Sequence, residues 1–542
     1  MDNTLTPKRD ANNFAINVKN RLQKIHKSIE DIAGKRVTIM GLGLNGGGIA
    51  SALFFARHGA SVTITDMKTE EELAPSVEAI KASDADMSRI RFVLGRHEIE
   101  DFESADCVIK NPGVKFEGNK FLAAAKHIET DLSIFLRFSP APVIAVTGSK
   151  GKSSTVSAIH FGLCEAGFNA FLGGNITVSP LTFFEQTNEN TPVVLELSSW
   201  QLSDLRGRGV LKPKISVLTT IVPDHQNWYG AMGPYVADKK LIYKDQSPDD
   251  VTICKANDKW GAVFASETKA KVVFYDADPD SAANSKPESR KGAWLEKDGS
   301  GFFYEPEIKT PLFKCTRTEK QNADLHELKA NQVLCSKLKV PGLHMKENML
   351  KAAAVLRLMG VSASETAEIL GRYSGIEHRL ECFFEYKAPS GKDFTFYNDS
   401  AATVPEAAAA ALYSFEEPVI LISGGTDKKC PFEPLINALV KSIQNKHLKS
   451  LYLLEGSATE KLVEAIKSGN AAGAEAFTSV LRHEPFGSLE QLLHALKAEL
   501  DSCSDKAKPV VVFSPGATSF GMFKNEFDRG NTFKKLVKQI FG

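Results

Sequence analysis

One stretch of the sequence decides the fold: PVIAVTGSKGKSSTVSAIHF, residues 142–161. Its apolar, β-branched start predicts a strand, its glycines predict a tight turn, and its remainder predicts a helix. Glycines in such a turn let backbone N–H groups surround phosphate oxygens, while Lys152 offers a mobile cation and Ser153 a hydroxyl ligand for Mg²⁺. The common form of this motif has glycine where this chain has Val146, and a simple tight turn is the alternative. The flanking strand and helix favour a nucleotide-binding loop formed by Gly148, Ser149, Lys150, Gly151, Lys152, Ser153 and Ser154.

Strands and helices alternate along the chain on both sides of this stretch. RVTIM and SVTITD enclose a helical segment, and TPVVLELSS and KISVLTTIV follow the glycine-rich turn. Four more apolar strands, FTFYND, EPVILISGG, KSLYLLEG and PVVVFSPG, come late in the chain. This alternation predicts an α/β fold of mainly parallel, doubly wound sheets. Because 542 residues exceed one hydrophobic core, length alone predicts two to four domains. Three fit best: a Rossmann-like domain at 35–130, a P-loop domain at 131–375 and a doubly wound, Rossmann-like domain at 376–542.

Two segments stand apart from this alternation. Residues 1–34 are interpreted as a polar helical extension before the first strand, and residues from about 265 to 335 as a polar insertion in the central domain. Within the insertion, KGAWLEKDGSGFFYE predicts a hairpin that turns at Asp298-Gly299. A helix predicted over 346–359 then closes the central domain.

Composition and charge argue against several classes of protein. Lys plus Arg and Asp plus Glu both number 66, so no excess charge indicates a nucleic acid or a membrane surface as partner. The eight cysteines include no CxxC pair, which disfavours a zinc ribbon or a disulfide scaffold. Residues 1–34 contain no apolar segment of signal-peptide length, and no later apolar run approaches the roughly 18 residues of a membrane helix. We therefore predict a cytoplasmic protein.

One further residue could hold a metal ion beside a bound nucleotide, and two others follow it in notable positions. Glu196 lies near the end of a buried parallel strand, where side chains face the crevice in which open α/β sheets bind ligands. His225 follows the next strand, in PDHQNWY, and Lys239 lies on a predicted helix, in YVADKKLIY. Taken singly, each has a plainer interpretation: a salt-bridged core acid, a structural histidine and a solvated lysine.

A second glycine-rich turn follows the first strand. GLGLNG, residues 41–46, with Asp66 at the end of the next strand, has the literal pattern of a dinucleotide-binding fingerprint. That pattern is weak by itself. It leaves open a nicotinamide cofactor or another ligand that carries a diphosphate.

Together these motifs resemble the Mur ligases and the related folylpolyglutamate synthetases. The resemblance covers nearly the whole chain after residue 34, with the segments in the family's order. They are TGSKGKSS, LELSSWQL, PDHQNWY with YVADKKLIY, GLHMKEN, GIEHRLE, NDSAAT with GGTDKK, and SPGATSFGMFKNEFDRGNTF. Within the family they match best the members that add D-glutamate to UDP-N-acetylmuramoyl-L-alanine.

The resemblance implies an ATP-dependent ligase that joins those two substrates by an amide bond, through an acyl phosphate. This step of peptidoglycan precursor synthesis serves cell-wall growth, cell shape and cell division. The resemblance also implies two Mg²⁺ ions, with Ser153, Glu196, His225 and Lys239 as ligands. In the family, the lysine at the position of Lys239 is carbamylated and so becomes a carboxylate-like ligand. The catalytic candidates are then Lys152, His225 and Lys239 in a protein expected to be a monomer.

The resemblance also assigns binding roles outside the metal site. The adenine and ribose of ATP would contact Asn348, His378, Arg379 and Asp399. The UDP-sugar would contact Gly43, Leu44, Asn45, Asp66, Met67 and Asn175. The incoming amino acid would contact Thr403, Lys428 and Ser519, with Lys428 as a natural partner for a carboxylate.

The chain departs from the family's pattern at three positions. Met345 replaces an amide near the nucleotide, Ala401 replaces the lysine of NDSKAT, and Glu526 replaces a phenylalanine. The last two belong to the acceptor region, so a Mur or folylpolyglutamate-type ligase with another acceptor amino acid is one alternative. A nicotinamide-dependent oxidoreductase built on GLGLNG and Asp66 is the alternative from another class, and it leaves the P-loop and the metal candidates unexplained.

Overall fold

The computed structural model describes residues 28–176, 178–278, 280, 292–304, 308–309, 311–317, 331–467, 477–481, 483–503 and 508–542. The chain divides into two compact units, the first built around two β-sheets and the second around a third sheet. Of the predicted N-terminal extension, residues 1–27 lie outside the described residues, and a short 3₁₀ helix at Ile29–Ile32 precedes the first strand.

The first sheet has five parallel strands in the order β3-β2-β1-β4-β5. They are β1 Arg36–Met40, β2 Ser61–Asp66, β3 Ile90–Leu94, β4 Cys107–Lys110 and β5 Ile128–Glu129. Around them lie α1 Gly47–Arg57, α2 Ala74–Lys81, α3 Ile99–Glu103 and α4 Lys120–Ala124. The order reverses beside β1, so the turn after β1 opens into a crevice at the carboxyl ends of the strands.

The second sheet has nine strands in the order β14-β13-β12-β11-β10-β9-β6-β8-β7. They are β6 Val143–Thr147, β7 Phe171–Gly174, β8 Val193–Glu196, β9 Ile215–Leu218, β10 Val251–Lys255, β11 Lys271–Asp276, β12 Gly292–Leu295, β13 Gly301–Tyr304 and β14 Gln332–Leu334. The strands from β7 across to β12 are parallel. Every residue of β6 is buried, as expected for a strand with both faces covered.

The helices before, between and after the strands of the second sheet include α5 Asp131–Phe138, α6 Lys152–Glu165, α7 Ser199–Asp204, α8 Gln226–Tyr229, α9 Met232–Lys239, α10 Lys259–Glu267 and α11 Leu343–Leu358. Strands β12 and β13 form the predicted antiparallel hairpin, and Gly299 in its turn has φ +81°. The described strands of the predicted insertion therefore extend the second sheet. Helix α11 begins three residues before its predicted start, directly after Gly342, whose φ is +85°.

The third sheet has five strands in the order β15-β16-β19-β17-β18. They are β15 Glu381–Lys387, β16 Asp393–Asn398, β17 Val419–Gly424, β18 Leu448–Leu454 and β19 Val510–Phe513. Only the β15–β16 pair is antiparallel among the pairs described in this sheet. Helix α12, Ala363–Arg372, precedes this sheet in the chain. The helices that follow β16 are α13 Pro405–Leu412, α14 Glu433–Gln444, α15 Ser457–Lys467, α16 Leu489–Ser502 and α17 Glu526–Phe541.

These three mainly parallel sheets confirm the predicted α/β class. A continuous apolar cluster lines the first two sheets, from Ile39 and Phe55 to Val143 and Leu195. The third sheet packs apolar residues on both faces, around Leu421 on one and Phe513 on the other. Within the described residues, no helix is both long and apolar enough to cross a membrane.

Candidate active site

Residues 147–154, which comprise the end of β6, the connecting turn and the start of α6, are termed the phosphate loop. Gly148 has φ +153° and Gly151 has φ +87°, which are conformations that a side chain disfavours. A Cβ atom on Gly148 would lie 1.9 Å from the Oγ1 of Thr219, so the residue that directly follows β9 leaves no room for one. Gly151 is the N-cap of α6, and the N–H groups of the first helical turn have no partner within the helix. The loop therefore presents backbone donors to an anion.

Two lysines of the phosphate loop differ in their surroundings. Lys150 is exposed, with its Nζ 4.0 Å from an Asp224 carboxylate oxygen. The Nζ of Lys152 donates to the Ser149 carbonyl at 3.1 Å. Burial is the main cause that lowers the pKa of Lys152, while Glu196 and Asp224 act in the opposite direction. Both ammonium groups flank the loop, where they can neutralise phosphate charge.

Glu196 ends β8 with its side chain almost fully buried, at 2% exposure. Its Oε1 accepts a hydrogen bond from the Asn175 amide at 3.1 Å. Its Oε2 is buried and has no hydrogen-bond partner among the described residues. A buried carboxylate oxygen left in this way is costly unless a cation or a donor binds it. This oxygen therefore fits Mg²⁺.

Lys239 ends α9 and is 1% exposed. Its Nζ donates to the Gly148 carbonyl at 2.8 Å and lies 4.5 Å from the centre of the Tyr235 ring. Burial, followed by the nearby Lys152 ammonium, lowers the pKa of Lys239 to about 7. The adjacent Lys240 instead pairs with Glu267 at 2.6 Å. The two neighbouring lysines therefore differ: one reaches the phosphate loop and the other does not.

Tyr235 was not assigned a role from the sequence. Its hydroxyl and the Ser149 hydroxyl lie 2.9 Å apart, and the Ser149 hydroxyl donates to the Val222 carbonyl at 2.9 Å. Tyr235 thus ties α9 to the phosphate loop. Its spacing of four residues before Lys239 was the available signal, since residues four apart share one face of a helix.

His225 has φ +51°, an uncommon conformation for a residue other than glycine. Its backbone N–H donates to the Asp224 carboxylate at 3.0 Å, and its ring packs 5.1 Å from the Trp200 ring, measured between centroids. In the part of the chain that the structure describes, no three His, Cys, Asp or Glu side chains are grouped as a metal site.

The turn between β1 and α1, residues 41–46, is termed the cradle loop. Gly41, Gly43 and Gly46 all have positive φ, and the Gly43 N–H donates to an Asp66 carboxylate oxygen at 3.0 Å. Leu44 and Met67 are 52% and 63% exposed. The predicted UDP-sugar residues of the first sheet therefore lie together at one edge: Gly43, Leu44, Asn45, Asp66 and Met67. Asn175 is instead bonded to Glu196 of the second sheet.

The second unit carries the remaining predicted residues. His378 and Asn398 share a hydrogen bond of 2.9 Å, and the buried Asn348 amide contacts the Met345 sulfur at 3.7 Å. Asp399 accepts from Ser514 at 2.7 Å, and burial raises the pKa of Asp399 to about 7. Arg379, the fourth residue predicted to contact the adenine and ribose of ATP, directly follows His378 in the chain.

The predicted acceptor residues follow three neighbouring strands of the third sheet. Lys428 and Ser519 lie on loops that Thr426 and Thr518 join by backbone hydrogen bonds of 3.1 and 2.9 Å. Thr403 follows β16, just before α13. Ser519 lines a cavity of about 1170 Å³ at the carboxyl ends of β17 and β18. The cavity is large enough for an amino acid.

A phosphate loop, a buried acid with a free oxygen and lysines of contrasting exposure define a nucleotide-binding α/β enzyme. Family models match residues 146–356 as the Mur ligase middle domain and residues 35–130 as the N-terminal domain of MurD-like Mur ligases. The chain belongs to the Mur ligase family.

Relatives agree with that assignment over nearly the full chain. The UDP-N-acetylmuramoylalanine--D-glutamate ligase of Treponema pallidum is 42% identical over 94% of this chain and 98% of its own. Those of Borreliella afzelii and Roseiflexus sp. are 35% and 34% identical, each over 94% of this chain and 99% of the relative. Among solved structures, MurF from Acinetobacter baumannii aligns with a TM-score of 0.49 and 15% identity, over 90% of this chain and 92% of that one.

Proposed function

We propose that this chain is an ATP-dependent ligase that joins D-glutamate to UDP-N-acetylmuramoyl-L-alanine in peptidoglycan precursor synthesis. The observation that carries the chemistry is the free, buried Oε2 of Glu196 next to a loop with two lysines. The names of the relatives supply the two substrates. In this proposal residues 35–130 bind the UDP-sugar, 131–375 bind ATP and 376–542 bind the amino acid.

The reaction requires activation of a carboxylate, because amide formation from a free carboxylate is uphill in water. The first turn of α6 and Lys152 hold the phosphates of ATP, so that the γ-phosphoryl group faces the alanyl carboxylate. When bound, Mg²⁺ neutralises phosphate charge and polarises the transferred phosphoryl group. The carboxylate oxygen attacks phosphorus, ADP leaves, and the amine of D-glutamate then displaces phosphate from the acyl carbon. ADP, phosphate and the amide are the products.

Ser153, Glu196 and His225 would hold the metal ions, and Lys239 would join them as a carbamate. An unprotonated amine adds to the carbon of CO₂ and loses one proton, and this forms the anionic carbamate. The burial of Lys239 beside Lys152 supports the proposal, since both favour the unprotonated amine. Nearby Mg²⁺ would favour the anion.

The proposal also specifies the acceptor amino acid, D-glutamate. Lys428, Thr403 and Ser519 would bind D-glutamate, with the lysine paired to a carboxylate. Ala401 and Glu526 remove a cation and add an anion to the family's acceptor pattern. These two residues favour a ligase with another acceptor as the second candidate. We also propose a monomer that acts in the cytoplasm, where ATP and UDP-linked precursors occur.

An amino-acid screen tests the proposal. Phosphate release is measured with ATP, Mg²⁺ and UDP-N-acetylmuramoyl-L-alanine, and candidate amino acids are added one at a time. We expect release with D-glutamate and only background with L-glutamate, L-lysine or meso-diaminopimelate. Release with another amino acid in its place would establish the second candidate, and release without any acceptor would contradict both.

A further inference from the structure

The segment after β4, residues 111–115, packs on the cradle loop at one end and on an aromatic cluster next to His225 at the other. At one end Asn111 packs on the cradle loop so closely that a Cβ on Gly41 would lie 3.2 Å from the Asn111 Cβ. The buried Lys110 fixes the segment's shape, since its Nζ donates to the carbonyls of Asn111 and Val114 at 3.2 and 2.9 Å. At the other end Lys115 reaches the aromatic side chains that surround His225.

An ion pair forms the first tie, between α7 and Lys110, the residue directly before this segment. The Nζ of Lys110 lies 2.8 Å from a carboxylate oxygen of Asp204, and the two side chains are 1% and 9% exposed. Asp204 is the last residue of α7. Removal of one partner from a buried pair leaves the other charge uncompensated, so this tie is structural.

A cation–π contact forms the second tie, between Lys115 of the segment and α8. The Nζ of Lys115 lies 3.9 Å from the centre of the Trp228 ring. Trp228 packs 5.1 Å from Trp200 near the start of α7, and Trp200 packs 5.1 Å from His225. Lys115 is exposed and Trp228 is 43% exposed, so this cation–π contact is accessible to solvent.

We propose that Lys115 and Trp228 are positioning residues for the muramoyl-L-alanine end of the sugar nucleotide. This inference rests on the proposed function. The substrate must extend from the cradle loop to the phosphate loop, and residues 111–115 contact the first loop directly. They are linked to the second by a row of aromatic side chains that runs from Trp228 to Tyr235, whose hydroxyl lies 2.9 Å from that of Ser149. A fixed path between them brings the alanyl carboxylate to the γ-phosphoryl group in reacting geometry.

Binding measurements separate this role from a structural one. Calorimetry compares UDP-N-acetylmuramoyl-L-alanine with UDP alone, for the full chain and for Lys115→Met. We expect Lys115→Met to weaken binding of the whole substrate about two- to fivefold, the range of an exposed cation–π contact. Binding of UDP should be unchanged, because UDP reaches only the cradle loop. Lys115→Arg, which keeps the cation, should restore the wild-type affinity.

Lys120→Met is the matched control. Lys120 makes a cation–π contact with its neighbour Phe121 at 5.0 Å, within α4, and should affect neither ligand. Trp228→Leu should weaken substrate binding at least as much as Lys115→Met does, and the double variant should be no weaker than Trp228→Leu alone.

Two results would overturn the inference. One is an equal loss for UDP and for the whole substrate, which would indicate a general distortion of the first sheet. The other is no loss in Lys115→Met beyond that of Lys120→Met. If the wild-type chain binds the sugar nucleotide but releases no phosphate with any amino acid, the ligase proposal fails while the binding comparison still judges the positioning role. If the wild-type chain does not bind it, both fail.

Discussion

The cradle loop and the phosphate loop share one backbone design and differ in their charges. Each follows a buried strand, and each leads into a helix whose N-cap residue is a glycine with φ above +80°. The acid Asp66 contacts the cradle loop, whereas Lys150, Lys152 and the buried Lys239 surround the phosphate loop. Backbone geometry therefore suits both loops to anions. In the proposed function, the lysines in and around the phosphate loop are what distinguish the loop that performs chemistry.

The largest expected effect is at Lys152. Lys152→Ala should lower kcat at least about a hundredfold, a barrier increase of about 2.7 kcal/mol, because the mobile cation of the phosphate loop is lost. The melting temperature should stay within a degree or two, since within the described part of the chain the hydrogen bond of this side chain goes to the Ser149 carbonyl alone. Steady-state phosphate release and a thermal melt check both. A decrease in kcat of less than tenfold would contradict the assignment of this loop to ATP binding.

Lys239→Ala should lower kcat by roughly a hundredfold, the range found when a preorganised charged group is removed from a site. Acetate should restore part of the activity by replacing the carbamate. Lys240→Ala is the control, since Lys240 pairs with Glu267 away from the loop. Mass spectrometry of gently ionised protein should show an added mass of CO₂ on the wild-type chain and on Lys240→Ala only. Loss and rescue in Lys240→Ala instead would transfer the role to that residue.

Glu196→Gln should raise the Mg²⁺ concentration for half-maximal activity by about tenfold to a hundredfold, on the scale of a metal-site change. The same variant should melt no lower than wild type without ligands, because a buried charge with one unpaired oxygen disappears. Activity and stability would thus change in opposite directions. A variant that is both less active and less stable would assign Glu196 to the core.

The smallest expected effect concerns the cradle loop. Asp66→Asn should weaken UDP binding about fivefold, as for the loss of one hydrogen bond worth about 1 kcal/mol, and should leave ATP binding unchanged. NAD should give no heat of binding to the wild-type chain. Calorimetry with UDP, ATP and NAD tests all three expectations. Tight NAD binding with no response to UDP would return the cradle loop to the dinucleotide interpretation.

The sequence predicted the buried strands well and the long-range partners poorly. β6 and β17 are continuous apolar runs between turn residues, a local signal that periodicity captures. The start of α11 was predicted three residues late, because the helix begins directly after Gly342. The bonds of Asn175 with Glu196 and of Lys110 with Asp204 join residues far apart in sequence. No local pattern encodes such pairs.

The site was predictable where a motif carries its own geometry. The phosphate loop needs only its glycines and the helix after them, so its residues could be named from the sequence. The contrast between Lys239 and Lys240 could not, since register alone distinguished two adjacent lysines. Burial against Gly148 distinguishes their surroundings. Whether the carbamate forms there stays a prediction.

The position of β19 sets the order in which the third sheet can be completed during synthesis. β19 follows every other described strand in the chain, yet it lies between β16 and β17 and pairs with both. While a ribosome is still translating the preceding helix, two halves of this sheet have emerged with unpaired edges facing each other. Unpaired edges of this kind invite pairing with other chains. A transcript cut before Val510 would therefore yield a fragment in which β16 and β17 both keep an unpaired edge, and such a fragment should aggregate.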